Sequence, residues 1–219
     1  MEKKNFQKRK LLINIKKNSN VLFLCYNEFG DRMEKEDYPL TIKKLWKHFQ
    51  VVNKHRWKVF GLCCKVGIPW RGLVHDLSKY EPVEFFETAR YFEEGKYSPV
   101  KKCKEIKGYS LGWIHHKNHN KHHYEYWYDY NAKTPAPIMP CKYFLELICD
   151  SLAAGMTYQG KNWTKEYQLE YWKRAKEKAI LHPKMEALIE KVYEDISKEG
   201  IDPVLKKKRL VKLYQDYTK

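Results

Sequence analysis

After residue 41, apolar residues recur at steps of three and four along most of the chain, which is the spacing of the buried face of a helix. The first such segment starts at Thr41 and ends before Gly67 and Pro69, which stop a helix. Pro69 can itself occupy the first turn of a second helix. The pattern therefore places His75 and Asp76 on that short second helix.

The same period continues to the C-terminus, interrupted by turn-forming residues. A strongly apolar helix follows Pro140, and Asp150 lies within it. The sequence has neither an internal repeat nor an alternation of strands with helices, so it predicts an all-α fold. The other predicted helices cover residues 82–94, 100–116, 124–130, 164–181, 184–199 and 203–217, with a polar turn at 118–121 and a loop at 133–137.

Residues 1–38 have a different pattern, in which basic stretches surround one short apolar piece at residues 21–26. A turn-like segment at residues 27–31 follows, and together they predict an N-terminal extension with one strand or hairpin. No apolar run approaches the roughly 18 residues of a membrane span, and the N-terminal apolar residues are too interrupted for a signal peptide. We therefore expect a soluble, cytoplasmic protein without a membrane partner.

The composition indicates a protein with a real core and a strongly positive surface. Hydrophobic residues make up 43% of the chain and aromatic residues 15%, which is too many for a disordered protein. The net charge of +16 attracts polyanions, so a nucleic acid or a nucleotide is a plausible partner. Most of the 43 basic residues are lysines, whereas arginine is the residue that reads base edges, so sequence-specific recognition of nucleic acid is not favoured.

The cysteines give no sign of a zinc ribbon or of a disulfide framework. There are six of them, two are adjacent and none forms a C-x-x-C pair. We therefore expect reduced, buried thiols at Cys25, Cys63, Cys64, Cys103, Cys141 and Cys149.

The histidines are clustered rather than scattered. Six of the nine fall in two groups, with His75 beside Asp76 and the other five between residues 115 and 123. Imidazole and carboxylate are ligands for Mn²⁺, Fe²⁺ and Zn²⁺, and one carboxylate can bridge two ions. His55 lies in the first helix, and Asp150 on its apolar helix needs a partner, which a metal would supply.

The order His, His-Asp, His, His, Asp on an all-α chain resembles the HD superfamily of metal-dependent phosphohydrolases, which also includes HD-fold oxygenases. The segment from His75 to Lys79, HDLSK, is similar to the H-D-x-x-K motif of HD-type cyclic-nucleotide phosphodiesterases. This resemblance implies a helical bundle of the HD type with one or two divalent transition metal ions, Mn, Fe or Zn.

Residues 41–195 resemble more closely the domain of unknown function 5662, a family common in phage and bacteria. Three segments carry the resemblance: HRWKVFGLCCKVGIPWRGLVHDLSKYEPVEF, WIHHKNHNKHHYEYW and LHPKMEALIEKV. The second family motif reads H-H-x-N-x-N-P-H-H-x-E-Y-W, so Lys121 replaces a proline here and His119 is an addition. Tyr158 and the pair His182-Pro183 also fit. The resemblance implies an N-terminal extension at residues 1–40, an HD-like metal-binding domain at 41–195 and a basic C-terminal helix at 196–219.

HD chemistry carried onto these positions implies two metal positions with Asp76 as the bridge. Asp76 and Lys79 would be catalytic, with Lys79 holding a phosphate oxygen. The first metal would take His55, His75, Asp76 and Asp150, and the second would take His116 and His122 or their neighbours His115 and His123, between which the sequence does not choose. Roles in orienting metal-bound histidines or in binding substrate would fall to Asn118, Asn120, Glu125, Trp127 and Tyr158.

The resemblance therefore implies a metal-dependent phosphohydrolase acting on a nucleotide or another small phosphorylated compound. A di-iron oxygenase of the HD type is one alternative. A non-catalytic protein that binds nucleic acid or another partner on an HD scaffold is a second alternative, for which the basic run at residues 206–209 would be relevant. The sequence leaves the oligomeric state open.

Overall fold

The structure, a computed structural model, describes residues 38–95, 98–134 and 136–219. The strand or hairpin predicted near the N-terminus and Cys25 lie outside the described residues. Every regular element in the described ranges is a helix, which confirms the all-α prediction. Among these helices, none has the length and apolar character needed to cross a membrane.

The described chain folds into ten α-helices, with four short 3₁₀ segments between or after them. The α-helices are α1 (Ile42–Lys65), α2 (Pro69–Val74), α3 (Pro82–Arg90), α4 (Pro99–Lys107), α5 (Leu111–His119), α6 (Cys141–Gln159), α7 (Tyr167–Ala175), α8 (Pro183–Glu199), α9 (Ile201–Val204) and α10 (Lys207–Thr218). The 3₁₀ segments are Leu77–Tyr80, Tyr124–Trp127, Gly160–Asn162 and Lys176–Lys178.

Helices α1 and α6 pack along each other and form the central pair of the described helices. Val59 of α1 and Ile148 and Leu152 of α6 are completely buried in their interface. Helix α2 packs on α1, α3 packs on α5, and α8 packs on both α7 and α10. This arrangement brings the polar residues of α1, α5 and α6 close to His75 and Asp76, the two non-helical residues that follow α2. We refer to these two residues as the break.

His75 and Asp76 do not lie on a helix, which corrects the prediction from the sequence. Helix α2 ends at Val74, His75 is extended with φ −56° and ψ 131°, and Asp76 is left-handed with φ 52°. Among the described non-glycine residues, Asp76 alone has a positive φ. Arg56 of α1 holds the break, because its Nε donates to the His75 carbonyl and its Nη2 to the Leu73 carbonyl, both at 2.8 Å. Adjacent side chains on a helix diverge by about 100°, and the break removes that restriction.

The helix predicted over residues 100–116 is two helices, α4 and α5. Gly108, with φ 81°, ends α4 in the left-handed conformation. Ser110 then caps α5 by accepting from the Trp113 amide at 3.0 Å. The Glu87 carboxylate of α3 accepts from the amide of Gly112 at 2.8 Å and so fixes where α5 begins. The helix predicted at 124–130 is only the 3₁₀ turn Tyr124–Trp127.

The cysteines within the described ranges are free thiols. Cys64 is exposed rather than buried, which corrects that part of the prediction. Its neighbour Cys63 faces the core, and adjacent positions on a helix point about 100° apart, so the two cannot both be buried against α6.

Candidate metal centre

The break after α2 brings four ligand-type residues together from three parts of the chain. His55 comes from α1, His75 and Asp76 from the break, and Asp150 from α6, and their ligand atoms all lie within 4.8 Å of one another. The His55 Nε2 lies 3.0 Å from Asp150 Oδ1, and the His75 Nε2 lies 3.1 Å from Asp76 Oδ2. We refer to these four residues as the first ligand group.

A second ligand group consists of Asp76, His116, His122 and His123, whose ligand atoms also lie within 4.8 Å of one another. The Nε2 atoms of His116 and His122 lie 3.6 Å and 3.5 Å from Asp76 Oδ1. The two Nε2 atoms of His116 and His123 are 2.9 Å apart. Asp76 therefore belongs to both groups, with Oδ2 toward the first and Oδ1 toward the second.

Five of the converging atoms are buried without a hydrogen bond to a described residue, although one of them, Asp76 Oδ2, has an ion-pair contact with the Lys79 ammonium. These five atoms are Nε2 of His55, His75 and His122 and both oxygens of Asp76. Buried polar atoms without hydrogen bonds are costly, and a set of them that faces one place is typical of a site that binds a cation. Imidazole nitrogens with a carboxylate are the donor set of a divalent transition metal, so the residues present fit such an ion.

Electrostatics favour the cation-binding form at Asp76 and His123 but not at His75. Burial lowers the pKa of His75, but the carboxylates around it raise that pKa well above its usual value, so a metal ion bound there would displace a proton. Burial raises the pKa of Asp76, but His75 and Lys79 beside it hold that pKa well below its usual value. Burial and the nearby rings of His122 and His116 keep the pKa of His123 well below its usual value. Burial alone would lower the pKa of Lys79, but the nearby carboxylates of Asp76 and Asp150 have a larger, opposite effect. The pKa of Lys79 is therefore raised above its usual value. At neutral pH Asp76 is therefore ionised, His123 is neutral and Lys79 is charged.

Glu146 contacts the outer side of two of these histidines and was missed by sequence reasoning. Its Oε1 lies 3.1 Å from His75 Nδ1 and 3.4 Å from His122 Nδ1. Its Oε2 accepts from the Arg71 Nε at 2.7 Å. One signal for it was available, because Glu146 precedes Asp150 by one helical turn on the same apolar helix.

Glu84 of α3 is the second carboxylate that sequence reasoning missed. Its two oxygens lie 2.8 Å from His115 Nδ1 and 2.8 Å from His116 Nδ1. Asn120 completes this side, because its Nδ2 donates to the Ser78 Oγ at 2.8 Å and to the His116 carbonyl at 2.8 Å. Nothing in the local sequence around Glu84 connects it with α5, so only the packing of α3 on α5 shows its position.

Some of the predicted residues lie away from the two groups. His115 is next to His116 on α5 and points about 100° away from it, so its Nε2 reaches Glu81 instead, at 3.0 Å. His119 is exposed and stacks on His115 with ring centroids 3.9 Å apart. Asn118 is exposed on α5, outside both ligand groups.

The remaining predicted residues surround the centre. Glu125 Oε2 lies 3.9 Å from His123 Nδ1. The Trp127 Nε1 donates to the Lys121 carbonyl at 2.8 Å, so this indole closes the histidine turn rather than facing the ligand atoms. Tyr158 is 42% exposed, two turns after Asp150 on α6.

Comparison with known proteins identifies a family. The family model described as "Family of unknown function (DUF5662)" matches residues 44–195, which is more than half of the chain and includes every member of both ligand groups. Searches of curated proteins and of solved structures found no match.

Proposed function

The chain belongs to the family of unknown function DUF5662, and we propose that it is a metal-dependent phosphohydrolase of the HD type acting on a nucleotide or another small phosphorylated compound. The observation that carries the proposal is the position of Asp76. One buried carboxylate faces the two ligand groups with different oxygens, which is the arrangement expected of a bridge between two ions.

The residues that would hold the metals are the members of the two ligand groups. Divalent ions bound there would supply a water of lowered pKa and would neutralise the charge of phosphate oxygens. The first position would use His55, His75, Asp76 and Asp150, and the second Asp76, His116, His122 and His123.

In this proposal Lys79 binds a phosphate oxygen. Its Nζ lies 2.6 Å from Asp76 Oδ2, and its side chain is 29% exposed whereas that of Asp76 is fully buried. The ammonium group is thus held at the ligand groups by a side chain that is partly exposed. A lysine ammonium is a compact point charge with three donors, which suits the oxygens of a phosphate.

The exposed edge of the centre gives the direction of substrate approach. Asp150 and His123 are each 16% exposed at the side chain, whereas those of His75 and Asp76 are fully buried. A substrate therefore reaches the centre on the side of Asp150, His123 and Lys79. Its phosphate would meet the ligand groups first, and the rest of the molecule would remain nearer to solvent.

The experiment compares metal content and phosphate release in matched aspartate variants. The protein is purified without a histidine tag, reconstituted with Mn²⁺, Fe²⁺ or Zn²⁺, and its metals are counted by elemental mass spectrometry. We expect two equivalents in the wild type, loss of metal in Asp76→Asn, and retention in Asp195→Asn, whose aspartate is buried on α8 outside both groups.

The same three proteins and Lys79→Met are then assayed for phosphate release from a panel of nucleotides and sugar phosphates. Activity that is lost in Asp76→Asn and falls strongly in Lys79→Met, while Asp195→Asn remains active, supports the proposal. Iron with an O₂-dependent optical change and no phosphate release would favour the HD-type oxygenase instead. Absence of bound metal after reconstitution would contradict both enzyme functions.

A further inference from the structure

Among the carboxylates of the described residues, only Glu146 has one oxygen that contacts a histidine ring of each ligand group. Its Oε1 lies 3.1 Å from His75 Nδ1, in the first group, and 3.4 Å from His122 Nδ1, in the second. The Glu146 residue is 3% exposed, so water does not compete for this oxygen. The two rings are themselves in contact, with centroids 4.5 Å apart.

The chemistry of imidazole links the two sides of each ring. A neutral imidazole carries one proton, so a proton on Nδ1 leaves a lone pair on Nε2, and a proton on Nε2 removes it. Only the first tautomer can bind a metal through Nε2. The Nε2 atoms of His75 and His122 are the ones that face Asp76 and Asp150 without a hydrogen bond to any described residue. A carboxylate at Nδ1 selects that tautomer, because a carboxylate can only accept.

Arg71 fixes the orientation of the Glu146 carboxylate. The Arg71 Nε donates to Oε2 at 2.7 Å, and its guanidinium lies 4.4 Å from the centre of the Tyr143 ring. This pairing argues against a different interpretation. The ligand atoms of His75, His122 and Glu146 are close enough together to hold an ion themselves. A guanidinium already neutralises Glu146, so a further cation there would be repelled.

We propose that Glu146 is a positioning residue shared by both metal positions, which sets the tautomers of His75 and His122 together so that one residue controls the loading of two ions. The inference rests on the proposed function for its metals. Glu84 provides the internal comparison, because it contacts His116 of the second group and no member of the first.

The test compares Glu146→Gln with Glu84→Gln. In Glu146→Gln the amide oxygen turns to Arg71, and its NH₂ faces the two Nδ1 atoms, which must then accept, so both protons move to Nε2. We expect metal affinity to fall about 10- to 100-fold at both positions. In Glu84→Gln only the second position should weaken. Affinities are measured by titration of Zn²⁺ against a competing chelator, with phosphate release measured separately.

A second readout does not depend on variants or on activity. In wild-type protein loaded with Zn²⁺, long-range ¹⁵N–¹H correlation spectra should show metal bound at Nε2 and a proton on Nδ1 of both His75 and His122, shifted downfield by the hydrogen bond to Glu146. A bare Nδ1 on either ring overturns the inference even if every variant misfolds, and so does Glu146→Gln that weakens only one metal position. If the wild type shows both Nδ1 protons and binds two ions but releases no phosphate, the proposed function fails and the role of Glu146 stands.

Discussion

The Arg56 Nε donates to the backbone carbonyl of His75 at 2.8 Å, and this bond joins the central helix α1 to the break that carries two candidate ligands. The same guanidinium donates to the Leu73 carbonyl at 2.8 Å and to the Tyr80 hydroxyl at 3.1 Å. The carbonyls of Leu73 and His75 lie at the C-terminal end of α2, where no further turn of the helix donates to them. The Arg56 side chain of α1 supplies these hydrogen bonds instead.

Replacement of Arg56 should therefore destabilise the protein and loosen the break. Hydrogen bonds from a charged donor are worth more than neutral ones, and we expect Arg56→Ala to lower the free energy of unfolding by about 2–3 kcal/mol. Lys54→Ala removes an exposed cation two residues away on the same helix. This control should change the free energy of unfolding by less than about 0.5 kcal/mol. Urea unfolding monitored by circular dichroism measures both. Equal midpoints for the two variants would show that the contacts of Arg56 do not hold the break.

Because Asp76 has a left-handed backbone, the stability of its variants should depend on which residue replaces it. Asparagine tolerates this conformation better than alanine, which pays about 1–2 kcal/mol for it. Both replacements remove the carboxylate. In the presence of EDTA we therefore expect Asp76→Ala to be less stable than Asp76→Asn by about 1 kcal/mol, and Asp76→Gly to recover part of the difference. Thermal unfolding of the three variants gives the order, and an alanine variant as stable as the asparagine variant would exclude backbone strain.

The close approach of α2 to α1 depends on Gly72. A Cβ at this position would lie 2.6 Å from the Cβ of Cys63 and 2.9 Å from the Cα of Phe60. Gly72→Ala should lower the free energy of unfolding by about 1–3 kcal/mol and displace His75, three residues later. Gly61→Ala is the matched control, since a Cβ there meets nothing within 4 Å, and it should stabilise α1 by about 0.5–1 kcal/mol. In urea unfolding we therefore expect a lower midpoint for Gly72→Ala and a higher midpoint for Gly61→Ala than for the wild type.

Asp195 of α8 should make stability depend on pH. Burial raises the pKa of this carboxyl, but Lys191 and Arg209, each 2.7 Å away, lower it overall. A group with a depressed pKa in the folded state stabilises the fold above its unfolded pKa of about 3.9, and this contribution is lost as the pH falls through the folded value. Asp195→Asn should cost about 1 kcal/mol at pH 7, because the paired cations are partly solvated.

The check on Asp195 is a comparison of unfolding midpoints for the wild type and Asp195→Asn across the pH range. The difference between them should be constant near neutral pH and should shrink in acid. A difference that persists unchanged in acid would mean that the effect comes from packing rather than from charge.

Metal binding should also appear as a gain in stability. An ion present at 100 times its dissociation constant raises the free energy of unfolding by about 2.7 kcal/mol. We expect Zn²⁺ to raise the melting temperature of the wild type and EDTA to reverse it. His55→Ala should lose much of the shift, whereas His119→Ala should retain it, because the exposed His119 lies outside both ligand groups.

The sequence determined the helices and most of the ligand types. The three- and four-residue period of α1, α6 and α8 is strong enough to give their approximate positions, because each helix buries one continuous apolar face. The pair His75-Asp76 and the density of histidine between residues 115 and 123 likewise indicated a metal centre. These features are local, so they can be read along the chain.

Only the tertiary structure decided which of these residues meet. The left-handed turn at Asp76 depends on Arg56, nearly twenty residues away, and the start of α5, which aims His116 inward and His115 outward, depends on Glu87 of α3. Glu146 contacts His75 only because α6 passes close to the break. Such contacts join residues far apart in sequence, and their geometry follows from how helices pack rather than from the period of any one of them.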